Sequence, residues 1–274
     1  MTRGGRSRGG AERPPRPRHE PPPASRAGEA DADALERVHG LRAGLAVLAK
    51  RPADVVRVAC ASELVGDVER ALGERAAHVR IGVLADRDIE KLARSNQHEG
   101  LVLEARARRW ATPHELGELL AGGSRRVAIA LDRVRNSYNV GAILRSAAFF
   151  GVDAALLGAP APHPGLDPNA IRVAEGGVED LVVARTTDLA DTLGRLRARG
   201  VKVYGADGHA DADALAFDYA RPSILVMGNE REGLGPRVRA QCDAILAIRG
   251  SGNVESLNVG VAAGILIAGL AGRR

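Results

Sequence analysis

The sequence predicts an α/β protein in which helices cover both faces of a parallel sheet. The first observation is a regular alternation of apolar, strand-like runs with helical segments from residue 126 onward. Strands that are separated by helical crossovers form parallel sheets buried on both faces. The second observation is that loops rich in Gly, Asn and charged residues follow three of these runs. Because ligands of open α/β sheets bind beyond the carboxyl ends of strands, the three loops are expected to form one shared site.

Composition places limits on the class of protein. The chain has 274 residues, which fits two compact domains or one large domain. No apolar run reaches the length of a membrane span, and the basic N-terminus lacks the apolar segment of a secretory signal. Cys60 and Cys242 lie far apart and lack metal-ligand spacing. We therefore expect a cytoplasmic protein with reduced thiols, no bound metal and no membrane partner.

Residues 34–108 are predicted to form a small α/β unit. One helix is expected to end near Lys50, because apolar residues recur at helical spacing before Pro52, at Leu35, Val38, Leu41, Leu45 and Leu48. Further helices are expected to start at Ser62 and Asp88. The three apolar runs VVRVACA, HVRIGVL and LVLEARA are predicted strands.

Residues 109–124 are predicted to be a linker, and residues 125–274 a second domain. Within the linker, Thr112 is expected to cap a short helix with Glu115 at its third position. The second domain has five predicted strands, namely RVAIALD, DAALLGA, VKVYGAD, SILVMGN and AILAIRG. Its helices are predicted at 140–150, 189–199 with Asp188 as cap, 234–241 and 255–270. The last of these helices is apolar on every side, which is typical of a buried helix.

Three sequence motifs carry the polar residues of the expected site. The first is Asn139 with Arg145 six residues later, in a helix that follows the strand RVAIAL. The second is Gly228-Asn229-Glu230, directly after the strand that ends at Met227. The third is Ser256-Leu257-Asn258-Val259, which leads into the apolar helix. Polar side chains at the mouth of a buried helix cap its amide groups or face a ligand.

Together these motifs resemble those of the SpoU-type branch of the SPOUT RNA methyltransferases. Order, spacing and strand-loop-helix context all agree over roughly residues 125 to 270. The resemblance implies an α/β-knot, in which residues 224–270 form a C-terminal trefoil knot that binds S-adenosylmethionine. It also implies a homodimer. The implied activity is methyl transfer to a ribose 2′-hydroxyl of ribosomal RNA, with a 23S guanosine preferred, or of transfer RNA.

The resemblance also assigns site residues. Those implied to bind the cofactor, largely through main-chain groups, are Met227, Gly228, Asn229, Ile248, Ser256 and Leu257. Those implied to act in catalysis are Asn139, Arg145, Glu230, Ser256 and Asn258. Since arginine stays protonated in proteins, we interpret Arg145 first as a cation that holds phosphate and stabilises the developing alkoxide. A general-base role, which has been proposed for this arginine in the family, remains open.

The unit at residues 34–108 resembles the L30e-like RNA-binding domain of family members that modify ribosomal RNA. The resemblance rests on Val38-His39-Gly40 and on the turn at residues 96–100, which reads His98-Glu99-Gly100 where relatives often have His-Gln-Gly. It implies a substrate-binding role for the unit. From the residues alone, His98 is better interpreted as a packed turn residue than as an RNA contact.

Residues 1–33 are predicted to be a disordered, basic tail rich in Arg, Gly and Pro. Residues 1–28 contain seven Arg and two Glu, which equals the net charge of +5 of the whole chain. Such a segment cannot bury enough apolar surface to fold. The segment either binds RNA phosphates through its positive charge, or it is a solvated tail or the result of a misassigned start codon.

Two further functions compete with catalysis. One is RNA binding by a degenerate, non-catalytic methyltransferase domain, although all motif residues are present. The other is dinucleotide binding, which is disfavoured because no Gly-x-Gly-x-x-Gly follows a strand. Cofactor binding would separate the first of these alternatives from an enzyme.

Overall fold

The computed structural model describes residues 34–158 and 166–272, which form two sheets with their own helices. The basic tail predicted for residues 1–33 lies outside the described residues.

The N-terminal unit contains a four-stranded sheet in the order β1-β4-β2-β3. Pairs β1–β4 and β4–β2 are antiparallel, whereas β2–β3 is parallel. Its elements are β1 (Leu35–His39), α1 (Leu41–Lys50), β2 (Val55–Cys60), α2 (Val65–Leu72), β3 (Arg80–Val83), α3 (Asp86–Ala93) and β4 (Leu101–Arg106).

The helix predicted from Leu35 is wrong over its first five residues. Leu35–His39 forms β1, in which Val38 pairs with Leu103 of β4. The chain then turns at Gly40, whose φ of 97° is incompatible with a helix, and α1 starts at Leu41. Apolar spacing alone could not separate the strand from the helix, because their apolar residues run in one continuous pattern.

The C-terminal unit contains a seven-stranded sheet in the order β7-β6-β5-β10-β8-β11-β9. Its elements are α4 (Pro113–Ala121), β5 (Val127–Leu131), α5 (Ser137–Phe149), β6 (Ala154–Leu157), α6 (Pro168–Val173), β7 (Val182–Arg185), α7 (Leu189–Ala198), β8 (Lys202–Ala206), β9 (Ala212–Asp213), β10 (Ser223–Met227), α8 (Pro236–Arg239), β11 (Ala244–Ala247) and α9 (Val259–Ala271). Each pair of neighbouring strands is parallel, which confirms the predicted sheet type.

Helices cover both faces of this sheet. On one face, α5 and α9 pack their apolar residues into a core that includes Ile143 and Leu266. On the other face, α4 and α7 form a second core that includes Leu116 and Leu193. Thr112 caps α4 in a capping box with Glu115, as predicted. Across residues 34–158 and 166–272, no helix is both long enough and apolar enough to cross a bilayer.

A buried group of charges joins the N-terminal unit to the C-terminal unit. Glu179, whose side chain is 3% exposed, accepts hydrogen bonds from Arg51 at 2.8 Å and from Arg108 at 2.9 Å. Arg108 and Arg51 also pair with Glu36 on β1. Buried charges are tolerated when they are paired and hydrogen-bonded in this way. The two units are therefore joined by specific polar contacts as well as by the apolar packing of Ile171 against the N-terminal core.

Candidate active site

The three motifs meet at the carboxyl edge of the large sheet. In the order β5-β10-β8-β11, the strands that precede the motifs lie within four neighbouring positions. Since all four strands run in the same direction, the loops after β5, β10 and β11 emerge on the same edge. This arrangement agrees with the shared site that the sequence predicts.

Two asparagines define the starts of the helices that enter the site. The side-chain oxygen of Asn136 accepts hydrogen bonds from Tyr138 N and Asn139 N, at 2.9 and 3.2 Å, and so caps α5. The side-chain oxygen of Asn258 accepts from Gly260 N and Val261 N, at 2.8 and 3.3 Å, and caps α9. The last helix therefore starts at Val259 rather than at residue 255, and Ser256 lies in the loop before it.

Side chains from all three motifs form a hydrogen-bonded group. The amide nitrogen of Asn139 donates to Glu230 Oε1 at 2.8 Å. The amide nitrogen of Asn258 donates to Asn139 Oδ1 at 3.0 Å. Each residue comes from a different motif, so the group forms only when the three segments are folded together. We call Asn139, Glu230 and Asn258 the polar triad.

The loop that carries Glu230 is held by contacts to the β5–α5 loop. Asn229 donates from its side chain to Arg133 O at 3.0 Å and accepts from Arg231 N and Glu232 N. Asp132, which is 3% exposed, accepts from Gly235 N at 2.6 Å. Arg133 pairs with Glu232. These contacts hold the loop in the position from which Glu230 accepts the hydrogen bond of Asn139. The hydrogen bonds of Asn229 stabilise the loop itself.

Gly228 is buried where this loop folds back on itself. A Cβ added at Gly228 would lie 2.6 Å from both Gly233 O and Leu234 N. The resemblance implies that Gly228 binds the cofactor, largely through main-chain groups. The structure shows a further reason for glycine at this position, because the space beside Gly228 is taken by the main chain of the same loop.

Arg145 lies outside the polar triad. Its guanidinium pairs with Glu175 Oε1 at 2.8 Å, and its side chain is 51% exposed. Six residues of helix correspond to about one and two-thirds turns, so Asn139 and Arg145 leave α5 on different faces. Within a single chain, the triad is assembled by its own hydrogen bonds, and Arg145 pairs with Glu175 instead.

The residues expected to bind the cofactor surround the ends of β10 and β11. Met227 is buried at the end of β10, and Ile248 packs against the core after β11. The loop at residues 249–258 is exposed throughout, with Ser256 in it and with the apolar side chains of Val254 (78%) and Leu257 (49%) open to solvent. The loop after β11 therefore presents apolar side chains on the surface.

The neighbourhood contains groups that the sequence reasoning missed. Strand β8 lies between β10 and β11, so its following loop, with Asp207 and His209, stands between the two expected cofactor loops. Glu175 is a second such group, because it follows α6, a short helix that is not among the predicted ones. A carboxylate directly after an apolar strand was a visible signal for Asp132, whereas the positions of Asp207 and Glu175 depend on strand order.

Burial affects both cysteine thiols of the chain. Burial raises the pKa of Cys242 to about 11 and also raises the pKa of Cys60, so both thiols are protonated near neutral pH. Within residues 34–158 and 166–272, no group of three or more His, Cys, Asp or Glu side chains could hold a metal ion.

Comparison with known proteins shows similarity to RNA methyltransferases. Residues 126–268 match the SpoU rRNA Methylase family. The "Uncharacterized tRNA/rRNA methyltransferase" of Mycobacterium avium is 32% identical over 236 residues, covering 85% of this chain and 74% of the relative. The 23S rRNA (guanosine-2'-O-)-methyltransferase RlmB of Acinetobacter baylyi is 38% identical over 188 residues, covering 67% of this chain and 75% of the relative.

Solved structures show the same fold. The SpoU methyltransferase AviRb from Streptomyces viridochromogenes, solved in complex with AdoMet, superposes with a TM-score of 0.70 at 23% identity, over 86% of this chain and 89% of that chain. A TrmH-family RNA methyltransferase from Porphyromonas gingivalis has a TM-score of 0.69 at 24% identity, over 88% and 90% of the two chains. With the three motifs gathered at one edge of a parallel sheet and the matched segment covering that sheet, this chain belongs to the SpoU rRNA methylase family.

Proposed function

We propose that this chain is an S-adenosylmethionine-dependent RNA methyltransferase that modifies a ribose 2′-hydroxyl of ribosomal RNA. The observation that carries the proposal is the polar triad, in which Asn139, Glu230 and Asn258 are joined by hydrogen bonds of 2.8 and 3.0 Å. A degenerate RNA-binding domain would have no need for this group. Relatives named as 23S rRNA (guanosine-2'-O-)-methyltransferases support ribosomal RNA over transfer RNA, and a 23S guanosine as the target.

Bound S-adenosylmethionine supplies an activated methyl group to the ribose oxygen. The residues that would hold it lie at the ends of β10 and β11, where Gly228 shapes the loop and Leu257 and Val254 offer an apolar cover. Main-chain groups of Met227, Gly228 and Ile248 would bind the adenine, because an uncharged base needs backbone donors and acceptors. Asn229 braces this loop, and Ser256 would face the cofactor from the loop before α9.

The remaining roles fall to the triad and Arg145. The triad would orient the ribose, with Glu230 accepting from Asn139 and Asn139 accepting from Asn258. Arg145 would bind the phosphate next to the target ribose and stabilise the negative charge that develops on the ribose oxygen. The ion pair between Arg145 and Glu175 favours this electrostatic role over that of a general base, because the guanidinium takes part in the pair as a cation.

The separation of Arg145 from the triad supports a homodimer. In the proposed dimer, two copies would pair along α5 and α9, and Arg145 of one copy would serve the triad of the other. Helix α9 consists of apolar residues and glycines, and its Val261 is 53% exposed, so part of an apolar helix surface remains uncovered in the single chain. We further propose that residues 224–270 form the trefoil knot of the family.

The N-terminal unit is proposed to be an L30e-like domain that binds the RNA substrate, spanning residues 34–108. Residues 109–124 would connect it to the methyltransferase domain at 125–274, against which α4 of this segment packs. Residues 1–33 would be a basic tail. We also propose a cytoplasmic location, which the rRNA-modifying relatives support.

Two measurements test the function. Calorimetry should show binding of S-adenosylmethionine, which a degenerate domain would lack. Mapping of ribose methylation in ribosomal RNA from a strain deleted for this gene should show one missing 2′-O-methyl group, which the purified protein restores. A complete methylation pattern in the deletion strain, or RNA binding without cofactor binding, would refute the proposal.

A further inference from the structure

One carboxylate connects Arg145 to the N-terminal unit. Glu175 Oε1 lies 2.8 Å from Arg145 Nη1 on α5, and Glu175 Oε2 lies 2.7 Å from Arg42 Nη1 on α1. The two arginines are 51% and 71% exposed at their side chains, whereas Glu175 is 32% exposed. Glu175 is therefore the more enclosed member of the three, and each of its oxygens faces a different domain.

The backbone around Glu175 is fixed in an uncommon conformation. Glu175 has a φ of 47°, and Gly176 has a φ of 89°. Left-handed conformations at residues other than glycine are retained where the surrounding structure imposes them, often at functional sites. This turn is what directs the carboxylate outward between the two arginines.

Close packing on both sides imposes this turn. A Cβ added at Gly176 would lie 2.5 Å from Ala46 Cβ on α1. A Cβ added at Gly177 would lie 2.9 Å from Ala148 Cβ and 3.3 Å from Arg145 Cα on α5. The turn is thus wedged between the helix that carries Arg42 and the helix that carries Arg145, at the level of Arg145 itself.

Stability is not a sufficient reason for this arrangement. Ion pairs between exposed side chains contribute little to folding. The two units are already held by the buried group around Glu179. What the Glu175 bridge adds is a defined direction for a long, half-exposed arginine side chain.

We propose that Glu175 is a positioning residue for Arg145 and that Arg42 supports it from the N-terminal unit. This inference rests on the proposed methyl transfer, in which Arg145 acts on the reacting ribose. Holding the guanidinium in one place lowers the cost of ordering it in the transition state, so the bridge should act on kcat. It also makes the placement of Arg145 depend on the docking of the RNA-binding unit.

The test measures steady-state methyl transfer from tritiated S-adenosylmethionine to ribosomal RNA of the deletion strain, for the wild type and each variant. Glu175→Gln keeps the size of the side chain and removes its charge. It should lower kcat about tenfold, with KM for RNA and Kd for the cofactor unchanged, because the lost interaction matters in the transition state. Arg42→Gln should lower kcat in the same direction by about two- to threefold, because an exposed cation contributes less.

A matched control is Lys50→Gln. Lys50 on α1 pairs with Asp180 at 2.6 Å, so it is an exposed ion pair across the same junction without a link to Arg145. This variant should turn over at the wild-type rate. In an Arg145→Ala background, Glu175→Gln should have no further effect, since residues that act through one another are not additive.

The outcomes separate this inference from the proposed function. Wild-type kcat in Glu175→Gln, or a tenfold loss that persists in the Arg145→Ala background, would overturn the positioning role alone. If Glu175→Gln unfolds at a lower temperature than the wild type, the test uses Arg42→Gln instead. An unchanged kcat in Arg42→Gln would overturn the link to the N-terminal unit. Absence of cofactor binding and methyl transfer in the wild-type chain would overturn the methyltransferase assignment together with this role.

Discussion

Asn258 donates a hydrogen bond of 3.0 Å to Asn139 although the two residues are 119 positions apart in the sequence. The same Asn258 side chain accepts from Gly260 N and Val261 N and so starts α9. One side chain therefore combines two tasks that use different atoms. Its oxygen caps a helix, and its nitrogen connects the third motif to the first. These tasks can be separated by mutation.

Replacement of Asn258 should affect stability and activity differently according to which atom is lost. Asn258→Ala removes the cap and should cost about 1 kcal/mol of stability, together with methyl transfer. Asn258→Asp keeps a capping oxygen, so unfolding should be near wild type, but it cannot donate to Asn139 and should lose methyl transfer. Thermal unfolding and turnover are the two measurements.

A cap at a distant helix controls for stability loss. Thr112 caps α4 through its hydroxyl at 3.2 Å from Glu115 N. Thr112→Ala should destabilise the protein by a similar amount and leave turnover intact at a temperature where both variants are folded. Equal loss of activity in Thr112→Ala and Asn258→Asp would show that the Asn258–Asn139 contact has no separate role.

Arg145→Ala should preserve the fold and cofactor affinity while methyl transfer falls by about 10²- to 10³-fold. This is the loss expected when one group that stabilises a developing negative charge is removed. Arg195 on α7 is a suitable control, because it is an exposed arginine in an i,i+4 pair with Asp191. Turnover of Arg145→Ala equal to that of Arg195→Ala would contradict the assignment of Arg145 to the transition state.

The sequence predicts much of this fold because local chemistry and tertiary structure agree in most segments. The strand that ends at Met227 was predicted from its apolar run, and the helix after Asp188 was predicted from its polar cap. β7 (Val182–Arg185) was missed because it has only four residues and ends in a charged one, so its apolar run is short. β1 was assigned to a helix because its apolar residues continue the helical spacing of α1.

The site was predictable in part for a similar reason. The resemblance of the three motifs to those of the family named the members of the polar triad, and parallel strands bring the ends of distant segments to one edge. What spacing could not show is which members touch. Asn139 meets Glu230 and Asn258, whereas Arg145 meets Glu175, because six helical residues turn the two side chains apart. The role of Gly228 also depended on a fold-back of the chain that no local pattern encodes.

Gly228→Ala should displace the loop at residues 228–235. The new Cβ would lie 2.6 Å from Gly233 O, a distance that the main chain can relieve only by moving. We expect cofactor affinity to fall at least about tenfold, with a stability loss of about 1 to 3 kcal/mol from overpacking. Calorimetry and denaturant unfolding measure the two effects.

The control for this prediction is Gly250→Ala. Gly250 is exposed in the loop after β11, and an added Cβ meets nothing within 4 Å. Its variant should bind the cofactor like the wild type. If Gly228→Ala also binds normally, the loop tolerates the shift and Gly228 is not required for the site.

The wild-type chain should be a dimer, and Val261→Glu should convert it into a monomer. Val261 lies on the first turn of α9 and is 53% exposed in the single chain, so a partner would have to bury the new carboxylate at a large cost. Val83→Glu on β3 is the control, because Val83 is 55% exposed but belongs to the N-terminal unit, and this variant should remain dimeric by light scattering.

Dimerisation should also be necessary for methyl transfer, since a symmetric pair has two copies of the site and each would draw Arg145 from the other chain. Val261→Glu should therefore lose turnover while each chain keeps its fold. Mixing Arg145→Ala chains with Asn139→Ala chains should regain activity that neither has alone, because a mixed dimer contains one site with both native residues. A monomeric wild type, or an inactive mixture of chains that exchange freely, would mean that Arg145 and the triad do not meet across a dimer. Arg145 would then have to reach the RNA from its own chain, on the face of α5 where Glu175 holds it.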